Sequence, residues 1–443
     1  MLSAAAGSSA AQAAPPVAPR TDAERARIAA VVAPTTDFSA PERFEDRPGG
    51  AATSFKRENA QAFSQPSANM DFERRLDFFV GNGIFKKLWV GAPASTDASD
   101  GLGPLYNARS CQRCHLRDGR GHPPNGPEDS RVSMLLGLSA PGAGADVGAA
   151  WFETAPHPVY GAQLQDFGIP GHAAEGRLDL AYEEVVVALS GGETARLRKP
   201  VYRVSNLGYG PLGAETLLSP RIAPQMIGLG LLEAISEADI LAQADPEDAD
   251  GDGVSGRARM VDSVALGRRA VGRFGLKAAT ATVIDQSAAA FSGDMGLSTP
   301  FVPGGHGECT EAQTACRAAP TGESAKHGGR EVGREALDLV AFYSRNLAVP
   351  ARRDVDDPTV LRGKRVFYES GCAACHTPKF VTERYEAVDG PAARQELSFQ
   401  LIWPYTDLLL HDMGEGLADG RPEGAELESG ATGREWRTPP LWG

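Results

Sequence analysis

The pattern of apolar and polar positions sets a few strongly patterned segments among long turn-rich stretches. Residues 69–90 (NMDFERRLDFFVGNGIFKKLWV) put Phe72, Leu76, Phe79 and Val80 at helical spacing, which predicts a helix. Residues 223–234 and 333–347 carry the same signature. Residues 182–204 differ: two β-rich runs flank Ser-Gly-Gly-Glu, the pattern of a hairpin. Residues 1–55 are rich in Ala, Pro and Ser without periodicity, and read as a disordered leader and linker. Within them, residues 4–19 resemble a signal-peptide cleavage region or, alternatively, an Ala/Pro linker.

Length and charge narrow the classes. A chain of 443 residues suggests two or three domains. The formal charge is 44 − 57 = −13, and no Lys/Arg cluster is present to neutralise phosphates, which sets nucleic acid aside. No apolar run approaches the ~20 residues of a membrane span. The acidity keeps the chain soluble, and it also suits an encounter with a basic redox partner.

Four of the six cysteines fall in two Cys-x-x-Cys-His strings, Cys111/Cys114/His115 and Cys372/Cys375/His376. Two thiols at this spacing reach the two vinyl groups of one haem, and the adjacent His faces the iron. Zinc would need a further Cys or His pair nearby, which neither string has. The second follows Gly-Lys-Arg-Val-Phe-Tyr-Glu-Ser-Gly (363–371), a Gly and a Phe on a helix ahead of the motif. Two c-type haems are therefore expected, 376 − 115 = 261 residues apart, each in its own pocket. Covalent attachment points to the periplasm of a bacterium. The remaining pair, Cys309 and Cys316, is expected as a structural disulfide.

The sixth iron position decides the chemistry. A Met or His there makes an electron carrier, whereas an open position admits peroxide or another small ligand. His411 and Met413, after the apolar Leu408–Leu410, are candidates for an axial or acid–base role at the second haem. Asp248, Asp250 and Asp252 have the spacing of the first half of a calcium loop, but Arg259 replaces the closing Glu of an EF-hand. Either a calcium site of another kind or a solvated acidic turn fits.

Beyond the motifs, the chain resembles the di-haem oxidoreductase, putative peroxidase family, also called thiol oxidoreductase-like. The matching runs include DGLGPLYN (100–107), LRKPVY (197–202), SPRIAP (219–224) and DGDGVSGR (250–257). GRFGLKA (272–278), GDMG (293–296), PYTDLLLHDMG (404–414) and REWRTPPLWG (434–443) continue the match. The resemblance implies a mainly α fold: two cytochrome c-like haem domains with a hairpin-containing insertion. The N-terminal haem domain is then expected at 56–205, a connecting region at 206–350 and the C-terminal haem domain at 351–443. It further implies a distant relation to bacterial di-haem cytochrome c peroxidases. In those relatives one haem takes electrons from a small cytochrome or cupredoxin, the other meets hydrogen peroxide, and a Trp often bridges them. Trp151 is the first candidate relay, with Trp89 and Trp403 behind it. Family members continue past Thr-Pro-Pro-Leu-Trp-Gly, so a further closing segment is expected after Gly443. The alternative function is a non-catalytic di-haem electron carrier.

Overall fold

The computed structural model describes residues 15–56, 59–125, 129, 133–140, 156–388, 393–419 and 430–443. The expectation of a mainly α fold is corrected: helix accounts for 28% and strand for 20%. The strands of the described residues pair only two by two, in seven small sheets. Composition supplies the reason. With 51 glycines and 32 prolines, both helical and sheet ladders are interrupted often, and much of the chain runs as turns.

The predicted hairpin is present and longer than its sequence signal. Arg177–Ala188 pairs antiparallel with Thr194–Ser205, from Arg177 opposite Ser205 to Ala188 opposite Thr194. Its tip turns where Gly191 and Gly192 take positive φ. Of the three predicted helices, Phe72–Lys86 and Arg334–Arg345 form nearly as read. The third shrinks to Leu229–Glu233, entered through Gly228 at φ 71°.

The Phe72–Lys86 helix buries an unexpected face. Phe72 (87% exposed), Leu76 (70%) and Phe79 (58%) face outward, while Phe78, Gly81 and Phe85 are buried. The cause is a close crossing with the Arg334–Arg345 helix. A Cβ on Gly81 would lie 2.3 Å from the Leu339 carbonyl and 2.8 Å from Tyr343 Cβ, so only glycine lets the backbones meet. Phe78 and Phe85 then pack on the Tyr343 ring at centroid distances of 4.8 and 5.2 Å. Val340, Phe342 and Leu347 complete this core with Trp89 and Phe291.

A second core gathers Leu231, Leu232, Val349, Leu397, Ile402, Leu408, Leu409 and Trp442. The Pro358–Glu369 helix stands beside it, started by the Asp357 side chain accepting from the Thr359 N–H. Residues 15–55, read from composition as unstructured, are ordered where described. A capping box at Thr21/Glu24 begins the Asp22–Val32 helix. Ion pairs then bind the segment to the second unit: Arg20 to Asp239, Glu42 to Lys364 and Lys379, and Glu45 to Lys364 and Arg352. Composition misses this order because it comes from contacts made more than 200 residues away.

Candidate functional site

Both Cys-x-x-Cys-His strings adopt one local geometry. Cys111–Cys114 is a single helical turn and Cys372–Ala374 a 3-10 turn. In each, the His N–H donates to the carbonyl of the first Cys at 3.0 Å. Each His ring is then held through Nδ1: His115 by the Pro224 carbonyl at 2.8 Å, His376 by the Tyr405 carbonyl at 2.8 Å. A carbonyl acceptor fixes the proton on Nδ1 and leaves Nε2 as a free lone pair aimed away, the arrangement of a metal-ligating His. In each unit a Phe from the preceding helix packs on that ring. Phe85 lies 6.3 Å from His115 and Phe367 lies 6.1 Å from His376.

The surroundings of the two strings differ. Burial, with the nearby Asp294 charge, pushes the Cys111 thiol up to about 12 and Cys114 in the same direction. Cys372 is exposed and Cys375 half-buried. Asp118, fully buried three residues past His115, accepts from Ser64 and, at 2.7 Å, from the Tyr343 hydroxyl. It fastens the first string to the Arg334–Arg345 helix. Around the second string the run 404–411 is folded back. Tyr405 and Leu408 take φ of 52° and 63°, unusual for non-glycine residues, and the Tyr405 carbonyl is thereby turned onto His376.

His411 and Asp407 belong to that fold-back. The His411 ring faces an acceptor at each nitrogen: the Ser255 carbonyl at Nδ1 and the Asp407 carboxylate at Nε2, both at 2.8 Å. Two acceptors require two N–H donors, so this ring is an imidazolium. Burial alone would lower its pKa, but Asp407 and the Cys375 sulfur, 3.7 Å away, raise it to about 10. His411 is thus placed at the sulfur edge of the second string, while Met413 is 49% exposed and Asp412 is paired with Arg434.

A cavity of about 820 Å³ opens between the residues that follow the first string and the Pro358–Glu369 helix ahead of the second. Leu116, Arg117 and Gly119 line it on one side, and Gly363, Phe367, Trp403 and Tyr405 on the other. Arg352, Arg353 and Trp442 complete its wall. The indole N–H groups of Trp403 and Trp442 are buried and have no hydrogen-bond partner among the described residues. Apolar walls, guanidinium groups and two indole donors suit a mainly apolar group with anionic substituents, and the cysteines and histidines of the two strings are not part of this lining. Trp89 lies elsewhere, packed edge-on to Phe291 in the first core. Trp151 lies outside the described residues. Sequence reading missed Trp442, whose only signal is the closing Pro-Pro-Leu-Trp-Gly run.

In the acidic loop the carboxylates that converge are Asp245, Asp248 and Asp250, with oxygens within 4.8 Å of one another. Asp252 turns instead to the Val254 N–H at 2.8 Å. Asp245 was not among the sequence candidates. It joins because its backbone closes the loop on Gly256 through a pair of hydrogen bonds. Cys309 and Cys316 form the expected disulfide.

These paired units, each a helix with its Phe, a Cys-x-x-Cys turn and a carbonyl-anchored His, define a protein built to hold two prosthetic groups of one kind. The chain belongs to the family described as "Di-haem oxidoreductase, putative peroxidase", whose model matches residues 44–443. The protein is accordingly a di-haem oxidoreductase. No curated protein and no solved structure matches the chain. Among the described residues, no helix is long and apolar enough to cross a membrane.

Proposed function

We propose that this protein is a periplasmic c-type oxidoreductase that passes electrons from a small cytochrome or cupredoxin to an oxidant such as hydrogen peroxide. The observation that carries the reading is the duplicated anchoring of His115 and His376, each held through Nδ1 by a backbone carbonyl in a Cys-x-x-Cys-His turn. Cys111 with Cys114, and Cys372 with Cys375, are the thioether-forming pairs of two haems, and the two His are the proximal ligands. When bound, the haems supply one-electron iron chemistry. Arg117, Arg352 and Arg353 offset carboxylate charge in the cavity. Trp403 and Trp442 line the cavity and are the relay candidates there. The Cys309–Cys316 disulfide supports an oxidising compartment. Both nitrogens of His411 are engaged, which favours a haem edge role for it over iron ligation or acid–base work.

An optical and EPR titration of the purified protein tests this reading. A high-spin signal that changes on adding hydrogen peroxide is expected. Two low-spin irons in every redox state would establish the electron carrier instead.

We also propose that the acidic loop holds calcium, through Asp245, Asp248 and Asp250 rather than Asp252. Chelation then lowers the melting temperature, because three converging carboxylates repel without a cation. At free calcium of about 100 times Kd the loss is about 2.7 kcal/mol. A melting curve unchanged by chelator, and by Asp248→Asn, would reduce the loop to an acidic turn.

A further inference from the structure

The outer face of the Phe72–Lys86 helix is an apolar stripe open to solvent. Phe72, Leu76, Phe79 and Val80 lie along it at helical spacing, and all four are exposed. Gly83 falls in the middle of the stripe, with nothing within 4 Å of the position a Cβ would take. Apolar patches of this kind with a polar rim mark interaction sites. Here the rim is mainly basic. At about 100° per residue, Arg75 and Lys86 flank one side of the stripe, and Lys87 with Glu73 the other. Three cations and one anion therefore surround it, in a chain whose formal charge is −13.

A series of packed rings leads from this stripe to the first string. Phe79 meets Phe78 edge-on at a centroid distance of 5.6 Å, and Phe78 meets Tyr343 at 4.8 Å. Tyr343 meets Phe85 at 5.2 Å, and Phe85 meets the His115 ring at 6.3 Å. Phe78, Tyr343 and Phe85 are buried, so Phe79 is the end of the series that reaches the surface. Electrons tunnel better through packed side chains than across solvent gaps, and this series ends on the ring expected to face an iron. Two other occupants of the stripe are disfavoured by charge. An antiparallel two-fold pairing with a second copy sets Arg75 and Lys86 against the same cations of the other chain, and a parallel pairing aligns the helix dipoles. An anionic membrane is opposed by the charge of the whole chain.

We propose that this face docks an acidic electron-donor protein with an apolar contact patch, whose electron passes along Phe79, Phe78, Tyr343 and Phe85 to the haem held by His115. This rests on the oxidoreductase reading above and adds the place where the donor engages. In the step, the donor is oxidised by one electron and the ferric haem is reduced by one. No atom is transferred, and the rings serve as the tunnelling medium without being oxidised or reduced. A helix of 15 residues is about 22 Å long, so the contact is small. Its size class is that of transient redox encounters, below about 1,200 Å². Arg75, Lys86 and Lys87 steer the donor into place, and the apolar stripe gives the contact its register.

Stopped-flow reduction of the oxidised protein, loaded with both haems, by fully reduced flavodoxin tests the proposal, flavodoxin being an acidic electron carrier. The wild-type rate should fall steeply as ionic strength rises. Leu76→Glu and Arg75→Glu change exposed side chains only, and each should slow reduction about 10-fold or more at low salt. Phe79→Leu keeps an apolar contact but removes a ring, so it should lower the saturating rate and leave the half-saturating flavodoxin concentration unchanged. Dithionite, which needs no docking face, should reduce every variant at the wild-type rate and so report intact haems. Equal flavodoxin rates in wild type, Leu76→Glu and Arg75→Glu overturn the proposal. It is also overturned if Leu76→Glu leaves the flavodoxin rate unchanged but abolishes binding to anionic phospholipid vesicles, or a dimer seen by light scattering. The stripe would then face a membrane or a second copy. If the wild type consumes no peroxide yet its flavodoxin rate keeps this dependence, the peroxidase reading falls and the docking face stands.

Discussion

Glu233→Ala should cost about 3–5 kcal/mol of unfolding free energy at neutral pH, measured by chemical denaturation. Glu233 ends the Leu229–Glu233 helix and lies buried between two guanidinium groups. Arg345 reaches it from the last turn of the Arg334–Arg345 helix at 3.1 Å, and Arg394 from the second unit. Its other contact is the Val283 N–H at 2.6 Å, so one carboxylate joins three parts of the chain. Burial alone would raise its pKa, but the two arginines hold it at about 2. A depressed carboxyl stabilises the fold above its ordinary value of 4.5, and that contribution fades as pH falls towards 2. Wild type and variant should therefore converge in stability at the acid end. A constant difference between them down to pH 2 would show that packing, rather than charge, carries the effect.

The double substitution Cys111→Ala with Cys114→Ala should remove one haem per chain and leave the other, read as the mass of the intact protein. Each unit has its own helix, Phe and anchored His, and the two His rings are held by unrelated carbonyls, Pro224 and Tyr405. The reciprocal pair, Cys372→Ala with Cys375→Ala, should give the complementary loss. If either double variant lost both haems, the pockets would be interdependent and the separate-unit account would fail.

How much of this was legible in the sequence depends on the range of the forces involved. The two strings, the hairpin and the helix cores are local signals and appear where expected. The buried face of Phe72–Lys86 is not local. Phe72, Leu76 and Phe79 look like a core stripe, yet the crossing helix more than 250 residues downstream selects the face carrying Gly81. The fold class failed for a related reason. A haem unit was expected to bring whole helices, but the Gly- and Pro-rich chain reaches its sites through short strands and turns tied by distant side chains. His411 was found by its place in the 404–414 run, whereas its role was set by Ser255, which periodicity cannot reach.

The crossing at Gly81 also dictates an order of biosynthesis. The first string is synthesised long before residues 334–345, which pack against its unit. Tyr343 on that late helix packs against Phe85 and holds Asp118. Packing in the closed unit pushes the Cys111 and Cys114 thiols up, which disfavours the nucleophilic thiolate. In the proposed c-type reading, attachment at this string belongs to the still-open chain, before the closing helix docks. The second string, with Cys372 exposed even in the finished fold, carries no such deadline. The two proposed attachment sites thus differ in access: a late helix closes over the first, whereas the second keeps an exposed cysteine in the finished fold.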